Sequence, residues 1–130
     1  MKPLPLHISD NQLLDFIDEW VSLLEREDYE AAYHHTDHNQ AMHWTAELIR
    51  EVIKAYDEML SDQKVTLKGI ATDITQHKEV NRSANSGKGY LGEIWYDLNI
   101  NGKVSDLTVT FDLRQTEEGI LVCLNDIHVM

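Results

Sequence analysis

The chain of 130 residues has one cysteine, Cys123, so no disulfide can close within it. That composition suits a reducing compartment. No apolar run approaches the roughly 18 residues of a membrane helix. The opening residues 1–7 have no apolar stretch long enough for a signal peptide. These absences predict a cytoplasmic protein with no membrane partner, and leave a signal-independent export route open. Basic residues are scarce: 11 Lys and Arg stand against 23 Asp and Glu, a net charge of −12. A surface of that sign repels phosphate backbones, so nucleic acid is not an expected partner. No cofactor motif is present, and the expected cofactor set is none.

What is present is ordinary for a globular domain. Hydrophobic residues make up 42% and charged residues 26% of the chain, which excludes wholesale disorder. The length fits a single domain, residues 1–130, able to bury a core without disulfides. Charge is unevenly spread. The first 63 residues carry 14 acidic and 4 basic side chains, whereas the rest carry 9 and 7. The amino-terminal half is therefore expected to form an acidic surface that could steer a basic partner.

Residues 1–8, with Pro3 and Pro5, read as a tail. Ser9 followed by Gln12 is a capping box. Leu13, Phe16, Ile17, Trp20, Val21 and Leu24 then recur at helical spacing, which predicts a helix to Glu25 or Arg26. Asp28 can cap a short second helix through Tyr33. A histidine-rich connection follows, from His34 to His43. Thr45 caps a third helix, expected to end near Met59 or Leu60.

From Lys64 onward the period changes to two. Residues 64–76 read as a long strand with a bend at Gly69, and residues 77–88 as a polar mobile loop. Tyr90, Ile94, Tyr96, Leu98 and Ile100 share one face of the next strand; Glu93, Asp97 and Asn99 share the other. Asn101-Gly102 is a strong hairpin signal. The return strand turns Leu107, Val109, Phe111 and Leu113 inward. After a turn at Thr116 to Gly119 comes a last strand, residues 120–130. Helices grouped before strands predict an α+β domain: N-terminal helices packed on a curved four-stranded antiparallel meander. The predicted core is Leu13, Phe16, Ile17, Trp20, Ile49, Ile53, Ile94, Tyr96, Val109, Phe111 and Val122.

This order of elements resembles the NTF2-like and cystatin-like superfamilies. The segments GEIWYDL, SDLTVTFDL and NDIHVM, within residues 89–130, are similar to a group of small uncharacterised bacterial domains of this shape, immunity-protein-like in character. The NTF2-like resemblance implies isomerases, cyclases, dehydratases, dimerisation modules or toxin-neutralising immunity proteins, so it implies a fold without selecting an activity.

Four groups of residues are candidates for a site. His34 and His38 would lie one helical turn apart if the short helix persists, a spacing that can chelate a metal ion; a polar connection is the competing account. Asp126 and His128 share a face of the last strand, where the aspartate could orient a general base or simply fix the strand. An NTF2-type pocket between helices and sheet would need an acid such as Asp73 beside a tyrosine. On the outward sheet face, Trp95 stands with Thr108, Thr110 and possibly Cys123, a pattern of a protein-contact surface. Cys123 lacks a neighbouring His or Cys and is not expected to be a catalytic thiol. No catalytic constellation is complete. The expected function is therefore a non-enzymatic protein-binding module, with a protein partner or a homodimer, of immunity or dimerisation type. The rival is a small-molecule isomerase, dehydratase or cyclase using Asp73, Asp126 or His128.

Overall fold

A computed structural model describes residues 1–60, 62–83 and 89–129. Three α-helices precede most of a mixed sheet: α1 (Asp10–Glu25), α2 (Tyr29–His35), β1 (Asp37–His38), α3 (Ala46–Lys54), β2 (Val65–Thr66), β3 (Lys78–Arg82), β4 (Tyr90–Ile100), β5 (Lys103–Thr116) and β6 (Gly119–Val129). The helix starts follow local chemistry. Ser9 accepts from the Gln12 N–H while the Gln12 side chain returns to the Ser9 N–H, closing the capping box. Asp28 and Thr45 cap α2 and α3 in the same way. Helix α3 ends at Lys54, several residues before the expected Met59 or Leu60. The Gln63 side-chain amide donates to the carbonyls of Ile53 and Lys54 and so satisfies the exposed end of the helix.

The sheet order is β1-β6-β5-β4-β2, with β3 also on β4. Strands β4, β5 and β6 form an antiparallel meander, three of the four strands expected in it. Asn101 and Gly102 turn the first hairpin with φ of 51° and 77°, both positive as a tight turn here requires. Three expectations are corrected. The sheet is mixed rather than purely antiparallel, because β1, in the histidine-rich connection, pairs parallel with β6. Residues 64–76 do not form one long strand. Only Val65 and Thr66 pair with the end of β4, and the chain then leaves that edge. Residues 78–82, expected to be loop, pair with the start of β4 as β3.

The excursion between β2 and β3 has a visible cause in hydrogen bonding. The Asn99 side chain holds the Leu67 carbonyl, and the Ile70 N–H and C=O bond Gly102 and Val104 around the hairpin. The chain rejoins β4 at His77, whose carbonyl accepts from the Asp97 N–H. The β4–β5 register slips between Asp97 and Asn99, the same stretch of β4 at which its edge partner changes from β3 to β2. The amino-terminal residues are also docked, through a bridge between Leu4 and Ile120.

The inner face of the sheet is covered by the helices. Leu13, Ile17, Trp20, Ile49, Ile53, Ile94, Tyr96, Val109, Phe111 and Val122 are all buried, as the alternation predicts. The Trp20 ring meets Phe111 edge-on at 5.1 Å between centroids. Phe16 is the exception: it lies at the margin, stacked on His35 at 4.2 Å.

Candidate functional site on the outer sheet face

Strand register sets the outer face in cross-strand rows. One row is Asp97, Thr108 and His128; the next is Glu79, Trp95, Thr110 and Asp126; a third is Asn81, Glu93, Asp112 and Cys123. Two of the groups singled out in the sequence, Trp95 with its threonines and the Asp126–His128 pair, thus form one site. A bulge at Asn125 keeps them in phase, since Thr110 pairs with Asp126 and Phe111 with Leu124.

Asp97 is the best-held group. Its side chain is only 8% exposed. Oδ1 accepts from the Trp95 indole N–H at 3.1 Å and the Thr108 hydroxyl at 2.8 Å. Oδ2 accepts from the His77 backbone N–H at 2.9 Å. The His77 imidazole Nδ1 stands 3.6 Å from Oδ2. Beside this, the Asp126 carboxylate lies 3.2 Å from His128 Nδ1, and the His128 ring meets Trp95 edge-on at 6.1 Å. Two Asp–His pairs therefore flank one indole.

The face is not the bare platform that the alternation implied. Thr108 and Thr110 point outward but are buried, and Trp95 is only partly exposed. The returning segment before β3 lies over Trp95 and Thr108: Ile74 and His77, with Trp95, Asp97, Asp106 and Thr108, wall a cleft of about 240 Å³. The alternation rightly puts Asp97 on the face away from a helix–sheet pocket, but nothing in it marks His77 or Ile74 as part of an outer cleft. The usable signal was Trp95 and Asp97, two apart on one strand and so on one face; nothing local announced that residues 67–77 fold back over them.

Charge on this face is unusual for the molecule. Among the described residues, the Lys and Arg ion pairs are Lys54–Glu27, Lys78–Asp18 and Arg82–Asp10. None engages Glu79, Glu93, Asp97, Asp106, Asp112 or Asp126. Burial pushes the Asp112 carboxyl above its ordinary range, with nearby Arg114 pulling it partly back. Asp106 accepts from the Tyr56 hydroxyl at 2.5 Å. Burial, and then that bond to an anion, raise the Tyr56 phenol.

The remaining candidates lie elsewhere. Asp73 is exposed in the excursion, beside Tyr56 in a shallow cleft of about 270 Å³ at the hairpin end. That is the acid–tyrosine pairing the enzyme reading requires, but on the open surface and not between helices and sheet, where the side chains of both layers are buried against one another. His34 and His38 do not share a helix face, because α2 stops at His35. His34 faces Glu30 at the surface, whereas His38 stacks on Tyr33 and bonds its carbonyl at 2.6 Å. Cys123 is buried on the outer face, in a cleft with Arg114 and Asp37. Burial, aided by the Asp37 charge, pushes its thiol up to about 11, so it is protonated at neutral pH. Among the described residues, no group of three or more His, Cys, Asp or Glu is placed to hold a metal ion. No described helix is long and apolar enough to cross a membrane.

No curated protein and no solved structure matches the chain. Residues 21–130, which take in every residue of the outer-face site, match the family described as "Domain of unknown function (DUF7668)", and the chain belongs to that family.

Proposed function

We propose that this domain is a non-enzymatic protein-binding module whose contact surface is the outer face of the sheet, centred on Trp95, and whose partner is basic. The observation that carries the reading is a partly exposed tryptophan among six carboxylates that form no ion pair with a lysine or arginine of the described chain, although the Arg114 charge reaches Asp112. Aromatic anchors set in a polar surround are the usual centres of protein interfaces. Exposed Leu60 and Ile70, with Ile74 at the cleft, extend an apolar margin toward the hairpin end. Its element order, helices before a sheet built around an antiparallel meander, supports reading the domain as NTF2-like or cystatin-like. An immunity-type role in the cytoplasm, neutralising a basic toxin, is the sharpest form of this proposal. The filled space between helices and sheet supports binding over NTF2-type catalysis.

A homodimer through the same face would set these acids against their own copies, which disfavours it. Sedimentation velocity of the purified chain is therefore expected to show a monomer. Affinity purification from the native host should recover a basic protein with wild type and with the exposed helix variant Glu47→Gln, and lose it with Trp95→Glu. Retention of the partner by Trp95→Glu would overturn the proposal. A dimer dissociated by Trp95→Glu would replace the basic partner with a second copy.

A further inference from the structure

The cleft beside Trp95 permits a narrower statement about what enters the face, resting on the reading of that face as a contact surface. We propose that this cleft is a subsite for one organic cation, the side chain of an arginine or lysine presented by the partner.

The fold buries the Asp97 carboxylate and gives it three neutral donors: an indole N–H, a hydroxyl and a backbone N–H. Neutral donors replace water's hydrogen bonds but leave the charge uncancelled. Among the described residues, the one cationic candidate within the cleft is His77, whose side chain is 69% exposed and 3.6 Å away. Asp106 adds a second carboxylate to the same wall, fixed by the Tyr56 hydroxyl. Among the described residues, lysine and arginine are absent from the lining. An anion is repelled here and a neutral group leaves the field unopposed, whereas a cation is drawn to it.

The other walls suit a cation on an apolar stem. Trp95 supplies an indole, the ring that attracts ammonium and guanidinium groups best. Its N–H is already spent on Asp97, which holds the ring in place. Ile74, 37% exposed, offers aliphatic surface for the methylene stem that such side chains lay along apolar walls. The cavity, about 240 Å³, holds one such side chain rather than a folded peptide.

The test uses the whole chain and small probes. N-acetyl-arginine methylamide and N-acetyl-lysine methylamide are titrated while the Trp95 indole N–H is followed by nitrogen–proton correlation spectroscopy. N-acetyl-citrulline methylamide, which keeps the shape of arginine without its charge, is the control. A saturable shift at the Trp95 indole is expected with the cations, with citrulline weaker by roughly tenfold or more. Asp106→Asn, at the half-exposed edge, should weaken the cations selectively, and Asp97→Asn should abolish their binding. Should Asp97→Asn fail to fold, Asp106→Asn carries the decision. Equal binding of citrulline, shifts confined to sites other than Trp95, or no effect of Asp106→Asn overturns the inference. The two proposals fail separately: a partner lost with Trp95→Glu yet indifferent to Asp106→Asn sinks the cation subsite and leaves the binding face standing.

Discussion

Phe111 shows how much one residue's facing decides. It is fully buried, edge-on to Trp20, in the middle of β5. Phe111→Ala is expected to cost about 3–5 kcal/mol in urea unfolding, through lost burial and the cavity left behind. A loss under about 1 kcal/mol would place the ring outside the core. Its neighbour Asp112 faces the other way, and burial raises its carboxyl. A carboxyl whose folded value lies above its unfolded value holds its proton more tightly when folded. Its favourable contribution is present below the unfolded value and is lost as pH rises through the folded one. At neutral pH the charged side chain is therefore a cost. Asp112→Asn should raise the denaturant midpoint at pH 7, with the gap closing as the solution is acidified through the carboxylate range. A variant weaker than wild type at pH 7 would count against this account.

At the scale of elements, the strands carry the same lesson through two glycines of β4 and its hairpin. Gly102 has φ of 77°, and a Cβ there would meet nothing within 4 Å. Gly102→Ala should cost only the backbone penalty of the left-handed region, about 1 kcal/mol. Gly92 has φ of 137°, and a Cβ there would drive into the Asn81 carbonyl of β3. Gly92→Ala should therefore cost more than Gly102→Ala, and it should open β3 first, seen as faster amide exchange at Asn81 than elsewhere in the sheet. Equal costs, or unchanged exchange at Asn81, would argue that β3 does not pair as described. That pairing could not be read from the sequence. Lys-Glu-Val-Asn-Arg has one apolar residue in five, and as an edge strand it needs no more than one apolar side chain, Val80, against the core.

Across the whole molecule, charge is sorted by the sheet. Lys78 and Arg82 turn from β3 toward α1 and meet Asp18 and Asp10. The acids of the same half, Glu79, Glu93, Asp97, Asp112 and Asp126, are left on the far side. A half that is close to neutral by count thus presents one acidic face. Association through that face should slow as ionic strength rises, because screening acts first on the encounter of opposite charges. Glu93→Gln should flatten the salt dependence of the on-rate for the captured basic partner. A rate indifferent to salt would detach the partner from this face.

The sequence by itself determined what local chemistry controls. The Ser9, Asp28 and Thr45 caps, the Asn101-Gly102 turn and the alternation along β4 and β5 each depend on neighbours within a few residues. Those signals were enough for an α+β domain, its meander and all but Phe16 of the named core. They also placed Trp95, Thr108 and Thr110 on one side of the sheet, because facing has period two, whereas Asp126 and His128 reach that side only through the bulge at Asn125. Only the tertiary structure decided the rest: that Asp37–His38 joins β6, that residues 67–77 fold back over Asp97, and that basic side chains turn toward α1 while acidic ones do not. These depend on partners tens of residues away, where one hydrogen bond from His77 or Asn99 outweighs the weak preferences of a polar stretch.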